Sequence, residues 1–124
     1  MPSFLQCKTP EGVLEVRVAD RFIARALGLL VGSPLEPSEG LLIAPCSSIH
    51  TVGMRYPIDV VFVDREACVQ RVFAGVRAGR LRFAPGARAV LELRAGIAAQ
   101  HGLCPGVRLP ELAAALGARA SRAQ

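Results

Sequence analysis

The sequence predicts a mainly β fold, a compact barrel or sandwich of about seven or more short strands with about three short helices. Three observations lead there. Short apolar or alternating runs recur between glycine and proline turn signals. Helical periodicity is confined to three brief stretches. Those stretches do not alternate regularly with the strands, which argues against a doubly wound parallel sheet. The chain has 124 residues, a length that suits one domain over 1–124. With 52% hydrophobic and 20% charged residues it can bury a core and does not resemble a disordered chain. No apolar run reaches the roughly 18 residues of a membrane span.

The elements follow in order. Residues 3–8 and 13–18 form a hairpin, with Thr9-Pro10-Glu11-Gly12 supplying turn chemistry. Asp20 is an N-cap for a helix over 21–30, where Phe22, Ala26 and Leu29 fall at helical spacing. Pro34, Pro37 and Gly40 mark a loop. Residues 41–44 form a short strand. Residues 47–54 form another, with Ser48, His50, Val52 and Met54 on one face. Tyr56-Pro57 breaks it. Residues 58–63 are apolar apart from Asp59, as in a strand buried on both faces. A turn at 64–67 leads into a strand over 68–76. A loop holds Gly79, Pro85 and Gly86, and residues 89–93 are again a strand. Residues 96–101 make a short helix closed by Gly102 in the left-handed conformation. A last strand covers 107–109, and Pro110 opens a short C-terminal helix over 111–116 that packs on its own domain.

The net charge is +5, nearly all of the basic side being arginine. Arg71, Arg77, Arg80, Arg82, Arg88 and Arg94 stand against a single acid, Glu92. They make a positive surface if they face outward together. Phe73 and Phe83 sit among apolar residues and read as core, so nucleic acid is disfavoured as a partner. Cys7, Cys46, Cys68 and Cys104 form no C-x-x-C pair. The N-terminal residues lack an apolar signal-peptide core, which predicts a cytoplasmic protein with reduced thiols.

The segment 39–64 reads EGLLIAPCSSIHTVGMRYPIDVVFVD. With R-x-x-G-L-L-V-G at 25–32 and AVLELRAGIAAQHGLCPGVRL at 89–109, it resembles the bacterial and archaeal family called domain of unknown function 192. The resemblance covers about 22–109 and leaves the helix and tail at 110–124 outside. It implies a mostly β barrel or sandwich with short helices and no assigned biochemical role. Many relatives carry an export signal. They also often have a bulky aromatic where this chain has Val52.

One polar constellation emerges: Ser48, His50, Thr51, Met54, Arg55 and Asp59. The turn at Tyr56-Pro57 brings Arg55 towards Asp59. Asp59 either locks that turn, through Arg55 or backbone N–H groups, or lines a polar pocket where His50 and Arg55 hold an anionic or hydroxylated ligand. No nucleophile elbow, phosphate loop or dinucleotide motif accompanies it, so no catalytic residue and no cofactor is assigned. Cys46, His50, His101 and Cys104 could ligate zinc only if their two segments meet, and no metal ligand is assigned. The sequence therefore favours a non-enzymatic binding or accessory module for an unknown small molecule or protein. A small hydrolase or zinc-dependent enzyme using His50 and Asp59 is the first alternative. A protein-interaction domain with an exposed strand edge is the second.

Overall fold

The computed structural model describes residues 3–19, 35–51 and 53–123, with the side chains of Ser3 and 118–123 excepted. The helix expected over 21–30 and Val52 lie outside the described residues. Among the described residues there are eight strands: β1 (Ser3–Thr9), β2 (Gly12–Ala19), β3 (Glu39–Ile43), β4 (Ser48–His50), β5 (Ile58–Val63), β6 (Val69–Val76), β7 (Leu81–Phe83) and β8 (Ala89–Arg94). Two helices follow, α1 (Ile97–Gln100) and α2 (Pro110–Ala123). Six strands form one sheet in the order β1-β2-β3-β8-β5-β6, and β4 pairs with β7 in a small second sheet. Among the described strands only β2 and β3 run parallel. The edge strands β1 and β6 do not pair with each other, so of barrel and sandwich the layered arrangement is the one formed.

Strand β5 lies between β8 and edge strand β6 and is buried along its whole length. Its alternate side chains feed two cores. Val61 and Val63 join Leu14, Val16, Leu42, Leu91 and Leu93 on the face covered by α1 and α2. Ile58, Val60 and Phe62 join Ile43, Val76 and Val90 on the other face, where Ile49 of β4 packs. Gly40 packs closely in the first core. A Cβ there would stand 2.9 Å from Leu93 Cδ2 and 3.0 Å from Leu91 Cδ1.

The hairpin, the twofold-buried β5, the 64–67 turn and the left-handed Gly102 all form as the residue patterns predict. Four expectations change. The strand expected over 47–54 ends at His50, because the chain turns at Thr51. Residues 81–83, read as loop, form β7 against β4. The strand expected over 107–109 reduces to a single bridge between Cys68 and Arg108. Finally, the C-terminal helix runs on from Pro110 to Ala123.

That helix docks on its own fold. Leu112 and Leu116 enter the first core, and Glu111 Oε1 accepts the Lys8 N–H of edge strand β1 at 3.1 Å. Covering an edge in this way removes a pairing template. Cys7 is sealed beneath; burial, reinforced by the Glu111 charge, pushes its thiol up to about 12. We therefore expect Leu112→Ala to cost about 2–4 kcal/mol in urea denaturation. In the native protein at pH 8 a thiol reagent should modify exposed Cys104 rapidly and leave Cys7 intact. Early labelling of Cys7 would show that α2 does not seal this edge.

Candidate functional site

The six residues singled out from the sequence do not converge. Asp59 is fully buried on the face of β5 that meets α1. Its Oδ1 accepts the Gly75 N–H at 2.9 Å, and its Oδ2 accepts those of Gly96 at 3.0 Å and Ala98 at 2.9 Å. Arg55 is exposed, and among the described residues no hydrogen bond joins it to Asp59. The lock on the chain is thus made through backbone N–H groups. Three donors aimed at one carboxylate replace the hydration that burial removes.

Thr51 is also buried, and it acts as a clasp. Its N–H donates to Arg80 O at 2.9 Å, and its carbonyl accepts the Gly79 N–H at 3.1 Å. Its hydroxyl donates to Arg77 O at 2.6 Å and accepts the Arg80 N–H at 2.9 Å. The loop from β6 to β7 is held against the end of β4 by these bonds. Met54 is half-buried against the second core.

Ser48 and His50 remain, and they lie on the outer face of the small sheet. Ser48 pairs with Phe83, Ile49 with Arg82, and His50 with Leu81. Directly opposed residues share a face. Ile49 and Arg82 therefore turn inward, while Ser48, His50, Leu81 and Phe83 turn outward. Leu81 is 61% exposed and Phe83 59%, so Phe83, expected in the core, lies on the surface. Phe73 is half-buried and meets Phe62 edge-on, with ring centroids 6.0 Å apart. Two guanidinium groups cover its ring, Arg71 at 4.8 Å and Arg82 at 5.5 Å from the centroid.

Leu81 and Phe83 were missed as surface residues. Leu81-Arg82-Phe83 does alternate between Gly79 and Pro85-Gly86, but three residues fall short of the strand pattern. The possible zinc ligands do not assemble. Cys46 is buried and its thiol donates to Ser48 O, while His101 Nδ1 lies 2.7 Å from the Thr9 hydroxyl. Among the described residues no three His, Cys, Asp or Glu side chains group as a metal site. The four cysteines form no disulfide. A shallow depression lined by Asp64, Arg65, Glu66 and Arg88 lies apart from the expected residues, and Asp64 Oδ1 is engaged there by the Glu66 and Cys68 N–H groups.

One acid does have an altered proton affinity. Glu92, opposite Leu41 and Val60, is raised by burial from 4.5 to about 7. Tyr56 nearby is also raised, by burial and then by the Glu92 charge, while a hydrogen bond with the Leu35 backbone acts the other way. Because Glu92 binds its proton more tightly folded than unfolded, its contribution to stability is complete below pH 4.5 and is lost as pH rises through about 7.

Two measurements follow. Glu92→Gln should flatten the loss of stability between pH 5 and 8, a loss of up to about 3 kcal/mol from this group; a variant with the wild-type slope would exclude Glu92 as its source. Asp59→Asn keeps the shape of the side chain but turns a donor towards one of the three N–H groups. It should cost about 2–4 kcal/mol in urea denaturation, and an unaltered midpoint would remove Asp59 as a structural anchor.

Comparison with known proteins agrees with this fold. A structure from Novosphingobium aromaticivorans DSM 12444, of a protein of unknown function, is 24% identical with a TM-score of 0.71, covering 87% of this chain and 84% of its own. A second, from Sinorhizobium meliloti 1021, is 21% identical with a TM-score of 0.71, covering 88% of this chain and 92% of its own. At these identities the likeness is one of fold. No match is found among curated proteins. No described helix is long and apolar enough to cross a membrane. The model of the family named DUF192, uncharacterized ACR, matches residues 5–110, and the chain belongs to that family.

Proposed function

We propose that the protein is a non-enzymatic binding module that contacts a protein partner through the outer face of the β4–β7 sheet. The observation that carries this reading is the exposure of Leu81 and Phe83, 61% and 59%, on the same face of the small sheet as His50. Two large apolar side chains held outward by a paired strand lose hydration favourably only when something covers them. Arginine and aromatic residues around such a centre match the composition of protein interfaces, from whose cores lysine and acids are depleted. His50 belongs to this surface, and Ser48 stands beside it. Thr51 supports the surface from beneath, by fixing the adjoining loop. A small-molecule site across the 50–59 bend is less well supported, since Asp59 and Thr51 turn inward and bond to backbone.

The other exposed apolar residues differ in setting. Phe4 lies under the Arg17 guanidinium at 5.0 Å, and Val13 stands opposite Lys8 on a β1–β2 surface that also carries Glu15.

The test places a photo-crosslinking amino acid at Leu81, Phe83 or Val13 in turn, in cells that make the protein. A discrete adduct from positions 81 and 83, absent at 13 and lost with His50→Asp, is expected. Adducts from 13 alone, or none from any position, would overturn the reading. Leu81→Ser and Phe83→Ser should each change stability by no more than about 0.5 kcal/mol, as exposed sites do. A larger loss would assign these side chains to folding.

A further inference from the structure

Resting on the reading above, we infer that the segment covering the β4–β7 face is an acidic one, carrying carboxylates around apolar side chains, from a chain other than a second copy of this protein. The distribution of charge carries the inference. Residues 44–58 and 67–91 contain no Asp or Glu, yet they hold Arg55, Arg71, Arg77, Arg80, Arg82 and Arg88. The rest of the chain carries nine basic and ten acidic residues. The whole of the net positive charge therefore belongs to these two acid-free segments, and both strands of the small sheet come from them.

The fold ties two of these residues beside the small sheet. The Thr51 clasp holds the backbone of Arg77 and Arg80 beside β4. Arg82 and Arg71 converge on Phe73, and Arg82 Nη1 donates to Leu81 O at 2.9 Å. Arg77 and Arg80 are exposed, and guanidiniums on that loop can bind a carboxylate in a bidentate manner. The loop that carries Arg77 and Arg80 leads directly into Leu81 and Phe83 of β7. A complementary surface must offer negative charge around an apolar centre.

A second copy does not satisfy that requirement. A twofold contact would set this face against itself, and the segments that form the small sheet hold no carboxylate to answer their arginines. Nor does a single-stranded nucleic acid fit well. Binding of that kind depends on successive bases stacking on several open aromatic rings, and Phe73 lies against the second core beneath two guanidiniums rather than on this face. Phe83 is then the exposed ring of this face.

The test uses the full chain and three short fluorescent peptides, in which Glu, Gln or Lys alternates with Leu and Phe. The Glu peptide is expected to bind saturably, to weaken as salt rises, and to exceed the Gln peptide by about tenfold or more. The Arg77→Glu/Arg80→Glu variant, altered at exposed side chains whose backbone makes the Thr51 bonds, should lose that preference. Circular dichroism and thermal melting check that it folds. Equal binding of the Glu and Gln peptides, or no binding of the Glu peptide, overturns the acidic partner. If the crosslinks from 81 and 83 persist in either case, the protein-binding reading stands without it. Stronger binding to phosphatidylglycerol vesicles or to single-stranded RNA than to the Glu peptide, abolished by Phe83→Ser, overturns it in favour of those ligands. A dimer in sedimentation that dissociates in Leu81→Ser/Phe83→Ser overturns it in favour of a second copy.

Discussion

The carboxylate of Asp59 ties together three parts of the chain that lie far apart in sequence. It sits in the strand that feeds both cores and takes N–H groups from β6, from the turn after β8 and from α1. A buried charge of this kind is tolerated only when donors replace its hydration. Backbone donors do so here, and the positions of Gly75, Gly96 and Ala98 are set by that need. Gly96 at φ 93° and Gly75 at φ 60° occupy the left-handed region that favours glycine. The sheet, the first turn of α1 and the end of β6 thus share one anchor.

The two faces of the large sheet have different fates. One is closed by α1 and α2, and the C-terminal helix also shields edge strand β1 through Glu111. The other carries the small sheet, packed by Ile49 and by Arg82 over Phe73. Turning one face of a two-stranded sheet inward turns its opposite face outward. The packing that buries Ile49 therefore exposes Leu81 and Phe83. Stability and the candidate binding surface arise from the same pairing, with Thr51 fixing the loop that joins the small sheet to β6.

Much of the fold was legible locally. Alternation and turn chemistry marked the first hairpin, β5, β8 and the Gly102 helix end, because each rests on contacts close in sequence or on a residue type with one conformational role. The candidate site was less legible. His50, Arg55 and Asp59 are near neighbours in sequence, but the chain turns inward at Thr51 and β5 then enters the core. Leu81-Arg82-Phe83 is too short to register as a strand without its partner β4. Phe83 looked like core because an isolated sequence does not state which face of a short strand is covered.

By itself the sequence determined the mainly β class, the order of most elements, the family, and the excess of arginine over acid between Arg71 and Arg94. Those properties depend on periodicity, residue type and motif, which are local. The tertiary structure alone decided that Asp59 bonds to backbone and that Thr51 clasps a loop. It also decided that Leu81, Phe83 and His50 meet on one surface. Each of those outcomes joins residues distant in the chain, so only the pairing of β4 with β7 and the stacking of the two sheets could produce them.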